Sequence, residues 1–156
     1  MWRGAATSAH GTRYMPHRPS TDRVRSYTDL KVWQAALRLV EETCRLSRRF
    51  PLDERYGLTR QMRRAAVSVP SNIAEGAGRD HLGDYLYCLS VARGSLQELE
   101  TQARIAHRLG YVTSDALNAF LQESDRVGRL LSGLRRGLLA VKNRTRQARR
   151  RSGPVG

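Results

Sequence analysis

The sequence predicts an all-α protein, an antiparallel up-down-up-down four-helix bundle with disordered basic tails. Apolar residues recur at intervals of three and four through four long segments, which is the period of an α-helix face. The linkers between these segments are short, so consecutive helices should be antiparallel neighbours. No segment alternates as a strand would. We predict a leader over residues 1–27, a bundle domain over 28–142 and an Arg-rich tail over 143–156.

The first helix is expected to start after Thr28 or Asp29, either of which can serve as an N-cap. It should end near Arg49, because the residue before a proline avoids the helical region and Phe50 precedes Pro51. The apolar positions expected on its buried face are Leu30, Trp33, Leu37, Val40 and Cys44.

The second helix is predicted from about Tyr56–Leu58 to Gly76, where glycine would end the helix because it takes positive φ without steric cost. Pro70 lies inside it, lacks an N–H and clashes with the preceding turn, so we expect a kink rather than a break. The apolar face consists of Met62, Ala65, Val69 and Ile73.

A polar stripe runs beside that apolar face. Its members also recur at intervals of three and four, and they are Gln61, Arg64, Ser68, Asn72 and Glu75. One buried face is enough for a bundle helix, so the stripe is either solvated or hydrogen-bonded to a neighbouring helix, a second subunit or a ligand. The sequence leaves these alternatives open.

The third helix has the most regular apolar face, made of Leu82, Tyr85, Leu89, Ala92, Leu96, Leu99, Ala103 and Ala106. Asp80 is the expected N-cap and Gly110 the expected residue after the C-cap. Gly94 lies mid-helix, where it costs about 1 kcal/mol relative to alanine. Its position therefore predicts the close approach of another backbone.

The fourth helix is predicted to begin at Thr113 or Ser114. Its buried face is expected to contain Leu117, Phe120, Ser124, Val127, Leu131, Leu134, Leu138 and Val141. From Asn143 onward the composition is basic and low in apolar residues, which predicts a tail without regular structure.

The net charge of +14 is concentrated at the two ends of the chain. Residues 1–26 contain five arginines against Asp22, which gives +4, and residues 143–156 contain five arginines and no acid, which gives +5. The centre therefore carries the remaining +5. Arg-rich tails are typical of phosphate contact with weak sequence preference, although solvated ends have the same composition.

Arginines within the helices have two possible uses. They could bind phosphate through the planar guanidinium, or form ion pairs across a subunit interface with Glu75, Glu98 or Glu100. The candidate residues for nucleic-acid binding or subunit contact are Arg60, Arg63, Arg64, Asn72, Glu75, Arg79, Arg93, Arg104, Arg108, Arg144, Arg146, Arg149, Arg150 and Arg151.

Motifs for catalysis and cofactor binding were sought and not found. The sequence has no HExxH, GxSxG or phosphate-loop lysine motif, and Cys44 and Cys88 form no metal-binding pattern. It also lacks an apolar run of about 18 residues, as a membrane-spanning helix would need. We therefore predict a cytoplasmic protein that is not an enzyme and uses no cofactor or metal.

Four segments resemble a known family. They are DLKVWQ (29–34), ERYGL (54–58), QMRRAAVSVPSNIAEG (61–76) and ARGSLQELE (92–100). They are similar to the bacterial family first met as the 23S rRNA intervening-sequence protein, over roughly Thr28 to Lys142. This resemblance implies a small cytoplasmic four-helix bundle, commonly a ring-shaped homopentamer, without known enzymatic activity.

A relative of that family, the accessory variability protein of diversity-generating retroelements, is basic and works with a reverse transcriptase and nucleic acid. The net charge of +14 and the polar stripe of the second helix, taken with this resemblance, lead us to predict a non-enzymatic homo-oligomer that binds RNA or DNA through a basic surface. The alternative is a protein-interaction scaffold, such as a reverse-transcriptase accessory subunit, with its arginines in subunit contacts. The identity of the nucleic acid and the ring number stay open.

Overall fold

The computed structural model describes residues 26–151, and all of the regular structure in that range is helical. Four α-helices are present: α1 (Lys31–Ser47), α2 (Leu58–Ala77), α3 (Leu82–Arg108) and α4 (Ser114–Arg151). Short 3-10 helices cover Tyr27–Asp29 and Leu52–Arg55. The prediction of an all-α fold is confirmed. No helix within residues 26–151 is both long and apolar enough to cross a membrane.

The four α-helices pack as a bundle in which each one contacts two others. α2 lies against α1 and α3, while α4 lies against α1 and α3, and the contact between α2 and α3 is the most extensive. This pattern fits an antiparallel up-down-up-down arrangement joined by short connections.

The predicted core positions of α2, α3 and α4 are mostly confirmed. Met62, Val69, Ile73, Leu99 and Val127 are completely buried and lie in one hydrophobic cluster. Along α4 the burial fades toward the C-terminus, since Leu134 and Leu138 are only partly buried and Val141 is 52% exposed. The bundle core therefore ends well before α4 does.

The predicted face of α1 is partly wrong. The buried residues at its centre are Val32, Ala35, Ala36 and Leu39, whereas Leu37 is 37% exposed. Three other predicted positions, Leu30, Trp33 and Val40, are partly buried at the edge of the core, and Cys44 has intermediate exposure. The two alanines lie on the inner face, where small side chains let α1 approach its neighbours closely.

The start of α1 also differs from the prediction. Ser26 and Asp29 form a capping box around the 3-10 helix, so Asp29 and Thr28 belong to that turn rather than capping α1. The N-cap of α1 is Leu30, which makes no side-chain capping hydrogen bond.

The α2 helix continues without interruption through Pro70. The prediction that Gly76 ends this helix is wrong, because Gly76 is helical and α2 ends at Ala77 with Gly78 as the C-cap. A Cβ atom on Gly76 would lie 2.5 Å from Cδ2 of Tyr85 and 2.9 Å from Cβ of Cys88. Glycine is needed here because α2 and α3 are in close contact. Burial in the same contact raises the pKa of Tyr85.

The two predicted caps of α3 have opposite outcomes. Asp80 does not cap the helix, because its N-cap is His81 and no side chain makes a capping hydrogen bond. Gly110 is confirmed as the residue after the C-cap, with φ of 78°. Its amide donates to the carbonyl of His107 at 2.9 Å and the Tyr111 amide donates to that of Ala106 at 2.9 Å, which is a Schellman motif.

Within residues 26–151 no other backbone approaches Gly94, since nothing in that range lies within 4 Å of the position its Cβ would occupy. At the start of α4, by contrast, the prediction of Thr113 is confirmed. Its hydroxyl accepts from the Ala116 amide at 3.3 Å.

The end of α4 was also predicted too early. The helix continues to Arg151 and contains 38 residues, or about 57 Å, so residues 143–151 are not structureless. The reason is local, because arginine, glutamine and alanine are all good helix formers. Residues 141–147 are all exposed, and this end of α4 has left the core. The predicted leader up to residue 25 and the tail from residue 152 lie outside the described residues.

Gly76 gives a direct test of the α2–α3 contact. Gly76→Ala should destabilise the fold by about 1–2 kcal/mol, because overpacking costs more than the improved helix propensity returns. The matched control is Gly133→Ala, which adds a methyl group where nothing lies within 4 Å and should stabilise by up to about 1 kcal/mol. Chemical denaturation followed by circular dichroism measures both. Equal stabilisation of the two variants would contradict the contact.

Candidate nucleic-acid interface

The polar stripe of α2 divides into a buried and an exposed part. Ser68 Oγ lies 2.8 Å from Ser95 Oγ, which joins α2 to α3. Asn72 Nδ2 donates to the Ser68 carbonyl at 2.8 Å and contacts Ser68 Oγ at 3.1 Å. These groups therefore hydrogen-bond within the bundle, whereas Gln61 and Arg64 are exposed.

Two of the predicted candidates bind each other. Glu75 and Arg79 form an exposed ion pair across one turn at the end of α2. The hydrogen bond and charge of Glu75 raise the pKa of Arg79. Surface pairs of this kind contribute little to stability, and the guanidinium is already neutralised locally. Arg79 is thus a weaker candidate for phosphate than an arginine without a carboxylate nearby.

The α2 arginines are not equivalent. Arg63 is half-buried, and its Nε donates to Ser47 Oγ at 2.9 Å, which links α2 to α1. Arg60 and Arg64 are exposed and lie one turn apart on the same face. Arg63 therefore has a structural contact, and Arg60 and Arg64 are the α2 residues available to a ligand.

Arg104 and Arg108 are exposed and lie one turn apart at the C-terminal end of α3. Positive charge is favourable there because of the helix dipole. α2 and α3 run antiparallel, with Ser68 opposite Ser95, so this end of α3 lies at the same end of the bundle as the start of α2. Arg60, Arg64, Arg104 and Arg108 thus share one end of the bundle.

A surface groove between α3 and α4 contains the remaining predicted helical arginine. We call it the α3–α4 groove; its volume is about 640 Å³, and it is lined by Leu89, Ser90, Arg93, Gly94, Gln97, Leu131, Ser132, Arg135, Arg136 and Leu139. Arg93 Nη1 donates to Ser132 Oγ at 2.9 Å, and Ser132 Oγ donates to the Gly128 carbonyl at 2.9 Å. This chain of hydrogen bonds holds the Arg93 guanidinium across the groove.

Arg135 and Arg136, which were not among the predicted candidates, line the same groove. Both are exposed, and neither has an acidic residue within four positions along the helix. That absence was visible in the sequence. An arginine doublet on a helix without an i±3 or i±4 carboxylate has no local ion-pair partner, and this signal could have placed both residues among the candidates.

The C-terminal arginines all lie on α4 beyond the groove. Arg144 and Arg146 are exposed, and Arg149, Arg150 and Arg151 occupy helical positions at its end. α4 makes no contact with α2 within residues 26–151. The structure therefore brings Arg93 of α3 together with Arg135 and Arg136 of α4. The C-terminal arginines lie farther along α4, apart from Arg60 and Arg64 on α2.

Ion pairing within the chain occupies few of its arginines. Among the described side chains, the four pairs are Arg45–Glu42, Arg79–Glu75, Arg126–Glu123 and Arg129–Asp125. Within the chain, two of the predicted acidic residues hydrogen-bond to neutral groups: Glu98 accepts from Gln102 at 3.0 Å, and Glu100 accepts from Ser124 at 2.6 Å. The other candidate arginines in residues 26–147 form no ion pair with another described residue.

A family sequence model described as 23S rRNA-intervening sequence protein matches residues 28–133, which is more than half of the chain. The chain belongs to the 23S rRNA-intervening sequence protein family. The match includes α1, α2 and α3 and the first part of α4. It ends at Gly133, so Arg135, Arg136 and the C-terminal arginines lie beyond the matched region.

A solved structure supports the same fold. The crystal structure of a protein of unknown function from the S23 ribosomal protein family of Bacteroides thetaiotaomicron superposes with a TM-score of 0.62 at 19% sequence identity. The similarity covers 66% of this chain and 96% of that one. At this identity the likeness concerns the fold alone. No curated protein matches this member of the family.

The Ser68–Ser95 contact predicts a stability effect rather than a binding effect. Ser95→Ala should destabilise the fold by about 1 kcal/mol because it removes this part-buried hydrogen bond. Ser68→Ala should cost at least as much, because it also removes the hydrogen bond that Ser68 Oγ accepts from Asn72 Nδ2. The double variant should cost less than the sum of the two, as measured by chemical denaturation in a double-mutant cycle. Strict additivity would show that the two hydroxyls do not interact.

Proposed function

We propose that this family member is a non-enzymatic, homo-oligomeric bundle that binds RNA or DNA through a surface of unpaired arginines. One observation carries the proposal: every charged residue after Asp125 is basic, and those residues include Arg135 and Arg136 in the α3–α4 groove. Guanidinium groups without carboxylate partners are available to phosphate. A polyanion that binds them releases counterions, which favours association at low salt.

The family description supports RNA as the first ligand to test, because it refers to an intervening sequence of 23S rRNA. Binding to such an RNA would place the protein in the cytoplasm. A homo-oligomer, a pentamer by the resemblance noted above, would repeat each arginine around its symmetry axis. This repetition converts the moderate charge of one bundle into a strong field for nucleic acid.

A protein-interaction scaffold is the second candidate, and a different surface favours it. Leu52 is 89% exposed, Tyr56 is 77% exposed and Leu109 is 53% exposed. Tyr111 OH donates to Glu54 Oε1 at 3.2 Å, which ties the linker containing Leu52 to the end of α3 near Leu109. Exposed apolar residues at one end of the bundle suit a protein partner, such as a reverse transcriptase or another subunit.

The nucleic-acid proposal predicts a steep salt dependence. Full-length protein should bind single-stranded RNA, and the logarithm of its affinity should fall linearly with the logarithm of salt concentration, by about 0.7 for each phosphate contacted. Fluorescence anisotropy over a salt series measures the slope, and light scattering on the same samples measures the mass. Absence of binding at physiological salt, with the oligomer intact, would favour the scaffold instead.

A further inference from the structure

We infer that the α3–α4 groove holds the sugar–phosphate backbone of the bound nucleic acid, and that the strand continues along α4 past Arg144 and Arg146. This inference rests on the proposed function and assigns its site. The groove is separate from the arginines of α2, because all of its lining residues belong to α3 and α4. One phosphodiester path therefore need not include Arg60 or Arg64.

The groove presents arginines from two helices to one hollow. Arg93 comes from α3, and Arg135 and Arg136 come from α4. Arg93 is already positioned by its hydrogen bond to Ser132, so less conformational freedom is lost when it binds phosphate. A guanidinium has five N–H donors, and the Ser132 contact occupies one of them. The others remain available for a bidentate phosphate contact.

Gly94 leaves the groove open beside Arg93. It lies in the interior of α3, where glycine weakens a helix relative to alanine. No neighbouring atom within the chain requires the missing side chain, because nothing lies within 4 Å of its Cβ position. Gly94 lines the hollow beside Arg93, and a glycine at such a place lets a ligand approach the helix backbone closely.

The lining indicates contact with the strand backbone rather than the bases. Leu89, Leu131 and Leu139 supply apolar surface, and Ser90 and Gln97 supply hydrogen-bonding groups. No aromatic side chain lines the groove, so it offers no platform for base stacking. We therefore expect little dependence on base sequence.

The distribution of charge along α4 indicates at which end the nucleic-acid strand leaves the groove. Toward the start of α4 the groove continues into a hollow of about 580 Å³, where Glu100 and Asp125 join Arg93, Arg129 and Arg136 in the lining. The two carboxylates offset part of the positive charge, so this hollow is less favourable for phosphate than the other end. Toward the other end α4 carries only basic charge, through Arg144 and Arg146. Phosphates should therefore follow the C-terminal half of α4.

The first test removes charge from the groove. Arg135→Gln/Arg136→Gln should lower the affinity of full-length protein for single-stranded RNA about tenfold at physiological salt and reduce the salt slope by about 1–2. The control is Arg45→Gln/Arg126→Gln, which removes the same charge from two ion-paired residues outside the groove and should change affinity less than about threefold. Duplex DNA in parallel shows whether the groove distinguishes the two nucleic acids.

The second test fills the groove without changing charge. Gly94→Leu should weaken RNA binding about tenfold while the unfolding midpoint stays the same or rises, because the leucine enters open space on a helix. Gly133→Leu is the matched control on α4, outside the groove lining, and should leave RNA binding unchanged.

The possible outcomes distinguish failure of the groove inference from failure of the proposed function. If the unmodified protein binds RNA with a steep salt slope but the groove variants behave as their controls do, the inference is overturned and the proposed function stands. If the unmodified protein binds neither RNA nor DNA, the proposed function itself fails. If Gly94→Leu lowers the mass in solution, the groove is occupied by a second copy of the chain, and the inference is overturned as well.

Discussion

The close contact between α2 and α3 is the constraint on which the rest of the structure depends. Gly76 has no side chain, and Tyr85 and Cys88 occupy the space that a Cβ would need. Two turns away, Ser68 and Ser95 join the same helices by a hydrogen bond. An interface this close holds small residues and paired hydroxyls, because buried polar groups must be satisfied and larger side chains would overpack. The two helices therefore act as a fixed unit against which α1 and α4 pack.

In this arrangement the polar groups that stabilise the bundle are different from the charged groups that are available for binding. On α2, Ser68 and Asn72 are used in hydrogen bonds within the bundle, and Arg63 is tied to Ser47. On α4, burial ends near Leu138 while the helix continues to Arg151, so its basic second half has no packing role in the described chain. Charge that stability does not require is available for binding. The proposed function follows from that separation more than from the total charge.

Individual residues show which parts of the fold were predictable from the sequence and which were not. The periodic faces of α2, α3 and α4 were predictable because large apolar residues repeat there. The buried face of α1 was harder to predict, because it contains the small residues Ala35 and Ala36 whereas the larger Leu37 is exposed. The structure gives Gly76 and Gly94 roles other than those predicted. Gly76 packs against α3 rather than ending α2, and Gly94 lies open in a groove rather than against another backbone.

The sequence by itself determined the helical class, the number of long helices, the Schellman turn at Gly110 and the family, because periodicity, turn chemistry and motif are local properties. Only the tertiary structure decided which arginines share a surface. Arg93 and Arg136 are 43 positions apart in the chain and meet because α3 and α4 pack side by side. The spatial grouping of charges depends on how helices are rotated against one another, and that rotation is set by the whole core rather than by any one segment.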